Sequence, residues 1–500
     1  MRRKNKNLIR VLAVALALLL AGGVVFSALF SALAEASGRD RYEITAAYMP
    51  EEQALRVEQR LIYTNRTADR LDAVCFYAAG NLFRRLAAMP YEPGDLAALF
   101  PEGYAPGGIE LRAVRFAGTD ADYGFQGEDE SALRVACRLD PGESGVFEFE
   151  YFLLLTRCAA FQGVGDTDVR LSAFCFVPGM YDDTYGEFRL NAPLAHTRWL
   201  HTDAADYDVT LAIPENWALA ATGEETLLKT EDGVSTWSIR AQNVREWAVS
   251  FGKRWREEAR ETASGVRVRA LTRARGANRR ILDAVVRAVE QCEAWFGPFP
   301  VRQLDVCQSD YPLGALNFPG AIWVPSALAE SGGDALDKAL RFCVAQQVFG
   351  LDAYAEPSAD AWLSDSVSEY AACLLLEADA GRDAFLRAVN RDWVDALQLT
   401  IPGGLTVTSD ARLFDRYTYD IVVRVRGAVV MHELRLAMGL EPFLAGLRTF
   451  REMGADGHTL TEMDFVHAMD AASGGDWEAF LTDWVFNVGD YVNQNIDWFE

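Results

Sequence analysis

One stretch in the second half of the chain brings a Cys, an amide and an acid onto two neighbouring helical runs. Phe342-Cys343-Val344-Ala345-Gln346 lies near the end of an amphipathic helical run. Eighteen residues intervene before Asp365, inside Trp362-Leu363-Ser364-Asp365-Ser366-Val367-Ser368-Glu369-Tyr370. Positions 342 and 346 are one helical turn apart, so their side chains share a face that a residue of the next helix can meet. Weighed as a metal centre, or as a nucleophile with its base, the residue types suit neither. Cys and Asp with one amide make a poor four-coordinate zinc shell. Cys343 as a nucleophile has no His nearby in sequence. His432-Glu433 opens an H-E-x-x pattern, but Leu436 stands where the second His would be. His196 and His201, five apart on a polar loop, have no ligand spacing, and His458 and His467 are isolated. The chain contains no H-E-x-x-H, no G-x-S-x-G and no P-loop. Glu369 and Tyr370, a turn beyond Asp365, are expected to serve packing and hydrogen bonding.

The elements that must position these residues follow from composition and periodicity. The 500 residues allow two or three domains with sizeable cores, and the apolar half of the composition excludes disorder. A formal net charge of -24 argues against nucleic acid or anionic lipid as the main partner. Five His in all make a His-based metal site improbable before any motif is weighed.

Arg2, Arg3, Lys4, Lys6 and Arg10 precede an uncharged apolar run over about 11–34. The expectation is a cytoplasmic basic tail (1–10), a single-pass signal anchor (11–34) and the rest of the chain extracytoplasmic at the cell membrane. The alternative is secretion after cleavage near Ala32-Leu33-Ala34. The eight Cys could form disulfides in that compartment. However, Cys75, Cys175 and Cys307 sit in strand-like runs and Cys343 and Cys373 in helical ones, so buried free thiols are expected for most. Asn65-Arg66-Thr67 is also a glycosylation sequon.

Residues 41–255 read as antiparallel β structure, a saddle or sandwich. Tyr42 to Tyr48, Leu55 to Tyr63 and Tyr207 to Pro214 alternate with period two, and a further strand holds Trp247, Val249 and Phe251. A helix is expected over Asn278 to Phe296, stopped by Gly297-Pro298-Phe299-Pro300. Strands follow at Leu304 to Cys307 and Ala321 to Val324, then two helices within Asp334–Glu377.

The frame around positions 342–370 resembles the gluzincin aminopeptidases, the aminopeptidase N family. There the same place reads H-E-x-x-H-Q-W-F-G, then a Glu in W-L-x-E-G-x-A-x-Y. Gln347-Val348-Phe349-Gly350 and Trp362-Leu363 keep that frame. Further matches are Ile62-Tyr63-Thr64-Asn65, Asn81-Leu82-Phe83-Arg84, Val244-Arg245-Glu246-Trp247-Ala248, Arg426-Gly427-Ala428 and Phe465 to Val492 with Trp484. The resemblance implies an α+β multidomain chain: the β domain, then a thermolysin-like, mostly helical peptidase-type domain over 265–495. No C-terminal helical-repeat domain is expected.

The resemblance also implies what has changed. The two zinc His positions are Phe342 and Gln346, the general-base Glu is Cys343, and the third ligand is Asp365. The Glu that grips a substrate's α-amino group in the family is Asn317, and the Tyr that stabilises the oxyanion is Arg424. Arg could still steady an anion. The expected cofactor is therefore none, although the family uses zinc. The reading is a pseudopeptidase that binds a peptide or protein ligand in a residual cleft lined by Asn317, Phe342, Cys343, Gln346, Asp365 and Arg424. Two alternatives stand beside it: an active metallopeptidase with non-standard ligands, and a structural or assembly module of a membrane complex.

Overall fold

The computed structural model describes residues 38–455 and 457–483. The expected anchor and tail, and the closing segment beyond residue 483 with Trp484, lie outside the described residues. Among the described residues no helix is long and apolar enough to cross a membrane.

Alternation builds the first half. In Ala205–Pro214, Val209, Leu211 and Ile213 are buried while Asp208, Thr210 and Ala212 between them are half-buried. Eight strands pair in the spatial order Glu224–Glu231, Val234–Val244, Ala205–Pro214, Asp40–Met49, Ala54–Thr64, Ser144–Leu154, Gly108–Phe116, Thr119–Asp120. The pairing is antiparallel except between Asp40–Met49 and Ala205–Pro214, which run parallel with Tyr42 opposite Tyr207 and their rings stacked at 4.4 Å. Two four-stranded sheets share its core, contributing Val74, Phe76, Leu171, Val249 and Phe251. Two expectations change in detail. Cys175 lies in an irregular segment between strands and not within one. Asn65 is fully buried, its Nδ2 donating to Asp69 O (2.8 Å) and Leu139 O (3.1 Å), so the sequon nitrogen is spent inside the fold. All eight Cys are free thiols.

The second half begins with a five-stranded mixed sheet: Arg256–Glu261, Arg267–Thr272, Gln303–Ser309, Ala321–Pro325 and the antiparallel edge strand Leu316–Phe318. Helix α1 (Ala277–Phe296) buries Ile281, Val285, Val289 and Cys292, the expected apolar stripe, and ends at Gly297. Helices α2 (Gly333–Gln346) and α3 (Ala361–Ala380) pack together, and α2 runs on into a π-helical turn, Gln347–Asp352. A second π-helical turn, Asp420–Arg426, leads into α4 (Gly427–Met438). Such widened turns often mark functional positions; the first follows directly on Gln346, and the second carries Asp420 and Arg424, which line the cleft described below.

Glycine is required where α4 meets α3. A Cβ at Gly427 would collide with Oγ and Cβ of Ser366, whose hydroxyl donates to Val423 O at 2.6 Å. We expect Gly427→Ala to destabilise by about 1–3 kcal/mol through overpacking, outweighing the ~1 kcal/mol that alanine gains in a free helix. A lower urea midpoint at unchanged m-value would show it.

One junction between the halves is ionic. Arg170, fully buried, pairs with Asp168 and donates through Nε to Ala160 O at 2.8 Å. Asp168 Oδ2 in turn accepts from Ser309 Oγ (3.0 Å) and the Asp310 amide (3.2 Å) of the second half.

Candidate functional site

A cleft of about 300 Å³ opens between the two halves. Its walls come from the 194–200 segment and Glu246 on one side. Opposite stand the edge strand, α2, α3 and the turn that carries Arg424. All six expected cleft residues, Asn317, Phe342, Cys343, Gln346, Asp365 and Arg424, line it.

Four of them form a hydrogen-bonded chain. Asn317 Nδ2 donates to Cys343 O (2.9 Å) and Gln346 Oε1 (3.1 Å), and Gln346 Nε2 donates to Asp365 Oδ1 (2.8 Å). Ser364 Oγ reaches the same oxygen at 3.2 Å. Asp365 Oδ2 accepts from Tyr419 OH (2.7 Å) and Thr197 Oγ1 (3.1 Å). Gln347 locks the edge strand by donating to Asn317 Oδ1 (2.6 Å) and Phe318 O (2.9 Å). Gly350 allows this packing, since a Cβ there would strike Ser364 Oγ and Gln346 Cγ.

The remaining two positions form a second layer. The Arg424 guanidinium lies 4.0 Å over the Phe342 ring, while Nη2 donates to Glu369 Oε2 at 2.6 Å and Nη1 to Asp420 Oδ1 at 3.2 Å. Lys338 Nζ stands 3.2 Å from the other Glu369 oxygen. Burial alone would raise the Glu369 carboxyl, but Arg424 and Lys338 outweigh it and hold it below the ordinary carboxylate range. The charge of Arg424 is thus matched within the protein by Glu369 and Asp420.

These residues do not fit zinc. Gln346 turns an N–H donor toward Asp365, and both Asp365 oxygens are occupied by donors from the protein. Burial pushes the Cys343 thiol up to about 12, so it is protonated at neutral pH and is not a thiolate ligand. A phenyl ring under a guanidinium fills the remaining position. Asn317, Gln346 and Asp365 form a closed network of donors and acceptors.

The structure also assigns residues that sequence reasoning left aside. Tyr419 and Thr197 complete the Asp365 shell from 54 and 168 residues away. His196, read as a loop residue, lines the cleft with Nε2 3.0 Å from Ala411 O, and burial lowers its pKa. His201 Nδ1 meets Tyr354 OH at 3.1 Å. His432 is a core residue whose Nδ1 meets Tyr370 OH at 2.9 Å, in keeping with the packing and hydrogen-bonding role expected of Tyr370. Glu369 proves to be the centre of an ion cluster.

No protein-family profile matches the chain, and no curated protein matches it in sequence. Solved structures do match in fold. The M1 zinc metallopeptidase of Deinococcus radiodurans is similar with a TM-score of 0.62 at 17% identity, over 89% of this chain and 92% of that one. A variant of that enzyme bound to a Tyr-Ser-Ala substrate gives 0.63 at 18% identity, over 89% and 93%. A two-domain M1 zinc metallopeptidase variant bound to L-arginine gives 0.64 at 17% identity, over 89% and 93%. The chain therefore has the two-domain M1 metallopeptidase fold.

Proposed function

We propose that this protein is a pseudopeptidase, a zinc-free binding protein that holds a peptide or protein segment in the cleft between its halves and does not hydrolyse it. The observation that carries the reading is the closed shell around Asp365. Gln346, Ser364, Thr197 and Tyr419 satisfy the carboxylate, and breaking that shell to admit a metal would leave buried donors unpaired. The open space in front of the shell is retained, which favours binding over a purely structural role. A peptide-like ligand is supported by the Tyr-Ser-Ala substrate in a solved protein of the same fold; that is an analogy of fold. An active metallopeptidase with substitute ligands is disfavoured by the same shell. Under this proposal the apolar segment 11–34 holds the domains at the outer face of a membrane.

The test is binding without turnover. The protein should bind the tripeptide Tyr-Ser-Ala in calorimetry and leave it intact after prolonged incubation. Ala339→Trp, placed on the cleft wall, should abolish binding while keeping the circular dichroism spectrum. Cleavage of the peptide, or binding unaffected by Ala339→Trp, would overturn the reading.

A further inference from the structure

The charged side chains that line the cleft are nearly all spoken for. Asp365 accepts from four donors, Arg424 and Asp420 pair with each other, Arg416 pairs with Asp95, and His196 meets a carbonyl. Arg198 and Glu246 differ. They approach each other only to 3.7 Å, each side chain is 14% exposed, and among the described residues neither makes a hydrogen bond. The Arg198 guanidinium carbon lies 5.6 Å from the centre of the Tyr354 ring, within cation–π range. Two half-buried opposite charges that stop short of a close bond keep donors and acceptors that a ligand entering the cleft can take.

We infer that Arg198 and Glu246 are the ligand-recognition pair of the cleft and that together they take the carboxylate and ammonium of a free α-amino acid with an apolar side chain. This rests on the proposed reading of the cleft as a binding site and narrows its preferred ligand from a peptide segment to a single amino acid. The spacing selects the class. In an α-amino acid the two charged groups lie about 3 Å apart by ordinary bond lengths, close to the 3.7 Å between the two protein groups. The ligand can lie across the pair with each charge facing its opposite, the guanidinium gripping the carboxylate through two N–H donors. In a peptide each further residue moves the terminal carboxylate up to about 3.5 Å away, so only one member of the pair is satisfied. Leu194, Trp199, Leu316, Phe318 and Leu328 line the same cleft and give the side chain an apolar wall. Burial, countered by Arg198, raises the Glu246 carboxyl above its ordinary range, as expected of a carboxylate waiting for a cation.

The experiment is calorimetry on the full chain, in detergent micelles, with L-phenylalanine as the probe. Binding should weaken at least tenfold for L-phenylalaninamide, which lacks the carboxylate, and for N-acetyl-L-phenylalanine, which lacks the ammonium. Arg198→Met and Glu246→Gln should weaken L-phenylalanine to the same degree, and the two analogues test the inference on the unaltered protein if either variant fails to fold. Equal binding of all three compounds would overturn the inference, as would variants that bind normally. If Tyr-Ser-Ala binds and L-phenylalanine does not, the pair has been misassigned while the cleft remains a binding site. If neither binds, both readings fall.

Discussion

Glu369→Ala is expected to lower the unfolding free energy by about 3–5 kcal/mol, the usual loss when one partner of a buried ion cluster is removed. Glu369 is 2% exposed and faces Arg424 at 2.6 Å and Lys338 at 3.2 Å. Without it, Arg424 keeps only Asp420, which is half-exposed, and the face of Phe342. Lys338 loses less, because it is 40% exposed and retains Asp392 at 2.8 Å. The double variant Glu369→Leu with Arg424→Met should recover a large part of the loss, since an apolar pair replaces a buried ionic one with no charge left over. Urea denaturation of the parent, Glu369→Ala and the double variant measures this. A single variant within 1 kcal/mol of the parent would show that the cluster is not closed to water as described.

Arg170→Met is the second large effect, again about 3–5 kcal/mol at pH 8, and its size should depend on pH. Burial raises the Asp168 carboxyl from 3.8 to about 6 even with Arg170 beside it. The folded state then holds a proton that the unfolded chain has released, so this group makes stability fall as pH rises from about 4 to about 6. Removing Arg170 removes the main counterweight and extends that fall to higher pH. The variant should therefore lie nearest the parent at pH 5 and furthest from it at pH 8. Asp168 also receives Ser309 and Asp310 from the second half, so the loss should appear in probes of both domains. A penalty independent of pH, or greatest in acid, would contradict the assignment.

Much of the cleft was legible before any coordinates, for a physical reason. Helix periodicity puts positions 342, 343 and 346 on the wall, and the frame to Asp365 places the next helix opposite. The chain from Asn317 through Gln346 to Asp365 is the outcome. The β half was legible because its strands alternate cleanly, as in Ala205–Pro214. What stayed hidden depends on contacts with no local signature. Thr197 reaches Asp365 across 168 residues, and Arg198 comes to Glu246 from a loop that carries no period. The pairing of Arg424 with Glu369, one turn beyond Asp365 on α3, depends on a contact with the 420–426 turn that no local pattern signals. The Asn65 sequon misled in the opposite way: the tripeptide is present, but its amide is a buried link between a turn and Leu139.

The central claim is a cleft that binds without metal, and the most direct measurement is zinc content paired with turnover. The full chain would be loaded with excess zinc, dialysed against metal-free buffer, analysed by mass spectrometry and assayed on aminoacyl fluorogenic substrates. The expected result is no zinc above background and no turnover with or without added metal, because Gln346 and Asp365 are bonded to each other and Cys343 stays a thiol. One zinc per chain accompanied by hydrolysis would contradict the account, for it would mean that the Asp365 shell opens to form a site that its hydrogen bonds now close.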